Sequence, residues 1–273
     1  MINISKEEFE AAMPAMAYPT DEVFEKVSPQ FSDVYDSMSD DFLGDAGVSA
    51  VDGNTQIRHA LVCVISLASV LRIFRSLDLV ITPTGFGVVS NQNVAPASSA
   101  RVNALEADLQ RALLNAHGRL VTLLTTVEGW GAQSQAAMAI PMLFYKLSML
   151  RTFCGITNPS AKDWDSARPQ LLKGDEFLRK HVGDEFLQEL LVAVRSNALT
   201  NDQRAAVNAM LEVMAGFVLQ DRKLTAFKYR RLMRMLEKDN FTYTTYLNSD
   251  AYALNHAQNF RNTADSAGFV FNG

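Results

Sequence analysis

Two cysteines and four histidines are all that this 273-residue sequence offers to thiol or imidazole chemistry. Cys63 and Cys154 lie inside apolar helical patterns, and a pair does not make a disulfide framework. Both are read as reduced core residues of a protein made in a reducing cytoplasm. Glycine and proline are sparse, at 14 and 8, which excludes collagen-like and low-complexity chains. A basic excess is missing too. The formal charge is −5, from 25 Lys+Arg against 30 Asp+Glu, so a globally basic coat for nucleic acid is excluded. The first residues lack the cationic-then-apolar layout of a leader. The longest apolar stretch, His59 to Leu71, is fenced by Arg58 and Arg72 and interrupted by Ser66 and Ser69. That is short of the ~18 apolar residues of a membrane span, and no membrane partner is expected.

The signatures of catalysis are equally thin. No glycine-rich string ends in Gly-Lys-Ser/Thr, as a phosphate-binding loop requires. Gly85-Phe86-Gly87 is a lone glycine pair suited to a tight turn rather than a dinucleotide fingerprint. His59 and Cys63 stand one helical turn apart and could face one metal, but zinc wants three or four ligands and no third is suitably spaced. Among Val and Ile, desolvation would also silence Cys63 as a nucleophile. No catalytic, cofactor-binding or metal site is expected, and no enzyme.

What the sequence does contain is helix. Ser5 with Glu8 forms a capping box for a helix over 6–13, and Thr20 and Ser28-Pro29 can open further short helices. Residues 55–77 are apolar on nearly every face, the mark of a central core helix. Leu79–Ser90 reads as a small hairpin around Pro83-Thr84-Gly85. Ser98 starts a long helix with Val102, Leu105, Leu109, Leu113, Leu120 and Leu124 on one stripe. After a break at Gly129-Trp130-Gly131, a helix is predicted over 134–153, kinked or started by Pro141. Further helices are predicted near Trp164, over 174–196, from Thr200, and over 222–238. The expected fold is mainly α: a bundle of eight to nine helices with one small β-hairpin at about 79–90 and an extended C-terminal tail. It divides into an acidic segment (1–50), a helical core (51–254) and a tail (255–273).

Charge is segregated along the chain. Residues 1–50 hold 11 Asp+Glu against 2 Lys+Arg, a net −9, which leaves +4 on the rest. Near the other end, Lys223, Arg230, Arg231, Arg234 and Lys238 fall within roughly 100° of helical arc, opposite Leu224, Leu232, Met235 and Leu236. This face either pairs as a solvated surface with the acidic opening helices or contacts an acidic partner or DNA phosphates. The polar tail carries only Phe260, Phe269, Val270 and Phe271 as large apolar residues, too few for a core of their own. They could add a strand to a neighbour or fill its pockets, or dock on their own chain.

The block Asp78–Ser98, followed by Arg101-Val-Asn-Ala-Leu105, and the ending Asn259–Asn262 with Asp265–Phe271 resemble an uncharacterised structural-module family of phages and prophages of Bacteroidetes. The resemblance implies a virion component, assembled in the host cytoplasm: a helical head–tail connector or adaptor subunit that forms a homo-oligomeric ring at the portal. Its partners would be itself, the portal and other neck or tail proteins, gripped through the extended terminus, with DNA passing through without specific binding. The family brings no catalytic residues. Other readings are a tail-completion, ring or packaging factor, or a DNA-binding regulator using 222–238.

Overall fold

The computed structural model describes residues 2–13, 21–77, 79–82, 85–88 and 98–257. Helix α1 (Lys6–Ala12) opens on the Ser5/Glu8 capping box, with the Ser5 hydroxyl accepting from the Glu8 amide. Helices α2 (Asp21–Val27), α3 (Phe31–Met38) and α4 (Gly44–Gly53) follow, joined by a 3-10 turn at Ser28–Gln30 and a π-turn at Ser39–Leu43. Thr20, the expected start of a helix, lies outside the described residues. All four pack around α5 (Thr55–Ile73). Asn54 caps α5 by accepting from the amides of Gln56 and Ile57. Thr55–Ser76 is long and apolar enough to cross a membrane on length and composition alone. Here Ile57, Leu61, Val64, Ile65 and Val70 sit in the core, and that burial accounts for its composition.

Two short strands, β1 (Leu79–Thr82) and β2 (Gly85–Val88), run antiparallel with Leu79 opposite Val88 and Thr82 opposite Gly85. Helix α6 (Ser99–Leu124) packs along α5. Its expected stripe is buried only in part: Leu109, Leu120, Val121 and Leu124 are in the core, while Val102 and Leu105 stay half-exposed.

The helix expected over 134–153 is two helices, α7 (Ser134–Ala139) and α8 (Ser148–Cys154). Pro141 cannot continue α7, and the residue before a proline leaves the helical region. Ile140, Leu143, Phe144 and Leu147 are still buried, so their spacing reported burial rather than helix. The freed carbonyl of Ile140 accepts from Arg195 Nε and Nη2, at 3.1 and 2.8 Å.

Helix α9 (Ala161–Val182) runs unbroken through Pro169, where two shorter pieces were expected. A Ser160/Asp163 capping box starts it, and burial of Ala167, Leu171, Gly174 and Leu178 offsets the hydrogen bond that proline forfeits. Helices α10 (Asp184–Arg195) and α11 (Asn201–Val218) follow, the latter under a Thr200/Gln203 capping box, then α12 (Arg222–Leu236). Beyond α12, where no helix was predicted, come α13 (Thr244–Leu247) and α14 (Asp250–Asn255), pinned by the buried rings of Tyr243 and Tyr246. The protein is mainly helical, with fourteen α-helical segments among the described residues where eight to nine were expected. The tail residues Phe260, Phe269, Val270 and Phe271 lie outside the described residues.

Candidate interaction surface

Asp221 sets the start of α12, its carboxylate accepting from the amides of Lys223 and Leu224 at 3.0 and 2.9 Å. From that cap the 100° step per residue assigns every side chain. Leu232 and Leu236 go into the core, Leu224, Thr225, Tyr229 and Met233 are half-buried, and Thr225 packs against Gly216 of α11. Lys223, Phe227, Arg230, Arg231, Arg234 and Lys238 form one solvent-facing stripe, all of them exposed. The stripe thus gathers all five basic residues singled out from sequence. It also holds one that sequence reasoning passed over: Phe227, 56% exposed, sits among the cations. Its signal was available, since position 227 falls inside the same arc as 223, 230 and 234.

The partners of these cations are local. Lys228 Nζ meets Glu212 at 2.9 Å, Arg231 reaches the same carboxylate at 3.6 Å, and Lys238 bonds Asp202 at 3.0 Å. The hydrogen bond that Lys238 donates to Asp202 holds its amine above the ordinary pKa. Glu212 and Asp202 belong to α11, so the pairing with the acidic opening helices that sequence allowed is not the one made. Among the described residues, Arg222, Lys223, Arg230 and Arg234 have no carboxylate within ion-pair distance.

The opening helices show the converse. Four of their acids are paired: Glu8 with Arg58, Glu10 and Asp21 with Lys6, and Asp33 with Arg72. Glu7, Glu22, Glu25, Asp36, Asp40, Asp41 and Asp45 are exposed and make no ion pair among the described residues. The two surfaces are built on different parts of the fold, the acids on helices around α5 and the bases on α12, which packs against α11.

Residues 22–137 match a family of unknown function (DUF6712). The DUF6712 span runs from α2 to α7 and carries six of the seven unpaired acids, whereas α12 lies beyond it. No curated protein matches the chain, and no solved structure does.

Chemically reactive groups are muted. His59 and Cys63 do approach, Nε2 to Sγ at 3.8 Å, but burial pushes the Cys63 thiol up. Burial pushes Cys154 up further, to about 11. A thiol raised in this way is largely protonated near neutral pH and a poor nucleophile. Among the described residues no group of three or more His, Cys, Asp or Glu is placed to hold a metal ion.

Proposed function

We propose that the chain is a structural, self-associating protein: a phage head–tail connector or adaptor subunit that forms a ring at the portal and docks neighbours through its C-terminal tail. The observation that carries this reading is the separation of unpaired charge. Four exposed cations on α12 and seven exposed carboxylates in residues 1–50 make no ion pair with one another inside the subunit. Two different, complementary patches are what a heterologous contact requires, and such contacts form a ring when the rotation between copies closes. The resemblance carried by 78–105 and 259–271 supports the same reading and supplies the virion setting. In this reading the subunit is a helical bundle bearing a small hairpin at about 79–90 and an extended tail at 255–273.

Genome passage adds a constraint. DNA must slide without sticking, so α12 faces outward or into subunit contacts, and acidic or neutral groups line the channel. A ring structure with Arg230 and Arg234 on the channel wall would overturn that placement.

Native mass spectrometry and sedimentation test the assembly. The wild-type chain should associate, and Arg230→Glu with Arg234→Glu should dissociate it by about tenfold or more in affinity. Asp40→Lys with Asp41→Lys should restore association to that double variant. A strict monomer that also binds no portal or neck protein refutes the proposal. The unpaired cations favour one second reading, a DNA-binding regulator. Phosphate contacts would make affinity fall steeply with salt, and flat or absent binding removes it.

A further inference from the structure

Behind the basic stripe, α9, α11 and α12 enclose a cleft of about 730 Å³. Gly216 lets α12 come this close to α11, because a Cβ there would overlap the Thr225 hydroxyl and meet its Cα at 3.0 Å. The cleft is aromatic. Phe177 lies 4.3 Å from His181, 5.1 Å from Tyr229 and 5.4 Å from Phe217, ring centre to ring centre. Lys173 and Arg222 stand exposed among its lining residues. Its volume falls in the range of ~300–1,000 Å³ typical of pockets that bury a ligand, and aromatic walls suit apolar and aromatic side chains.

Helix α14 ends beside this cleft, where Asn255 donates its side-chain amide to the carbonyl of His181 at 2.8 Å. Phe269-Val270-Phe271 begins twelve residues beyond Ala257. An extended chain covers ~3.3–3.6 Å per residue, so those twelve residues reach about 40 Å. A compact chain of this length has a radius of gyration of about 18 Å. The reach therefore approaches a subunit's width, far more than is needed to return to a cleft at the tail's own root.

We propose that the cleft between α9, α11 and α12 receives the Phe269-Val270-Phe271 segment of a second copy of this chain. This rests on the ring reading and names the receptor for the tail. The cleft borders the α12 stripe through Arg222 and Ala226, so the tail contact and the charge contact would form parts of one interface.

Full-length protein carrying the photo-cross-linker p-benzoylphenylalanine in place of Phe269 provides the test, using mixed isotopically light and heavy copies. The expected products are light–heavy cross-links from position 269 to residues 173–181 and 222–229. Ala226→Arg, an exposed change at the cleft mouth, should cut their yield by about tenfold, since it blocks the cleft without touching the core. Cross-links confined to a single copy place the tail on its own chain and overturn the proposal. So do mixed cross-links that miss the cleft or are indifferent to Ala226→Arg. Sedimentation separates the two claims: a ring whose position-269 cross-links miss the cleft sinks the tail contact alone.

Discussion

Trp130→Phe isolates one hydrogen bond that holds the acidic surface in place. Trp130 is fully buried, and its indole N–H donates to the carbonyl of Phe42 at 2.9 Å. Phe42 belongs to the π-turn of Ser39–Leu43, which carries Asp40 and Asp41 on its outer side. A second tie, Gln135 Nε2 to the carbonyl of Asp40 at 3.2 Å, is exposed and should contribute little. Phenylalanine keeps a ring in the site but removes the donor. The orphaned acceptor costs about 1–3 kcal/mol, and the smaller ring adds about 1 kcal/mol of lost burial. A total near 3 kcal/mol approaches the ~3–5 kcal/mol expected of Trp130→Ala. For a chain of this size it lowers the melting midpoint by roughly 5 °C. Urea unfolding measures the energy, and hydrogen exchange measures where it acts. Amides of 39–44 should exchange faster in the variant, while those of α11 keep their protection. A Trp130→Phe protein within about 0.5 kcal/mol of wild type would refute the reasoning. Destabilisation with unchanged exchange at 39–44 would refute the link to the acidic turn.

Two further substitutions probe the same core. His117 packs edge-on against Phe42, ring centres 5.0 Å apart, and burial holds its pKa below the ordinary 6.5. The unfolded chain therefore takes up a proton that the folded chain resists. The stabilisation is fully present above about pH 6.5 and is lost as pH falls through the depressed folded-state value. Urea midpoints at about pH 7.5 and about pH 5.5 should diverge for wild type and draw together in His117→Gln; an unchanged slope refutes the assignment. Ser66 and Ser69 are buried on α5 with no partner for their hydroxyls among the described residues, so Ser69→Ala should stabilise by about 1 kcal/mol, read from denaturant midpoints; destabilisation of that size would reveal a partner for the hydroxyl.

Local signals were legible in the sequence and long-range ones were not. Capping boxes at Ser5 and Thr200 are contained within four residues, and α1 and α11 start where those residues require. The all-round apolarity of 55–73 likewise marked the helix that the others surround. Pro141 announced a break, but the buried Ile140, Leu143, Phe144 and Leu147 kept helical spacing across it. The partner that makes the break tolerable, Arg195, is 55 positions away. Pro169, which the sequence reading passed over, does not break α9, because tertiary burial outweighs a local penalty of about 3 kcal/mol. The basic stripe needed only the helical repeat, and so would Phe227 have done. The cleft could not be read in advance: it depends on Phe177, Phe217 and Tyr229 from three helices meeting, and on Gly216 letting two of them approach.

The composition of the α12 stripe bears on which partner it fits. A phosphate surface needs cations in a positive field, and the neighbourhood of α12 is not strongly positive. Seven basic residues between 222 and 238 are flanked by Asp202, Glu212, Asp221, Glu237 and Asp239, which neutralise most of their charge beyond a Debye length of about 8 Å. Little long-range attraction for DNA survives that screening. What persists is short-range: unpaired guanidinium and ammonium groups around one exposed aromatic ring. Carboxylates on a protein surface can meet such groups pair by pair, and a central aromatic residue among polar neighbours is the usual anatomy of a protein–protein hot spot. Duplex phosphates would give Phe227, 56% exposed, nothing to stack on. Under the proposed ring, the exposed carboxylates of residues 1–50 on another copy would supply such a surface.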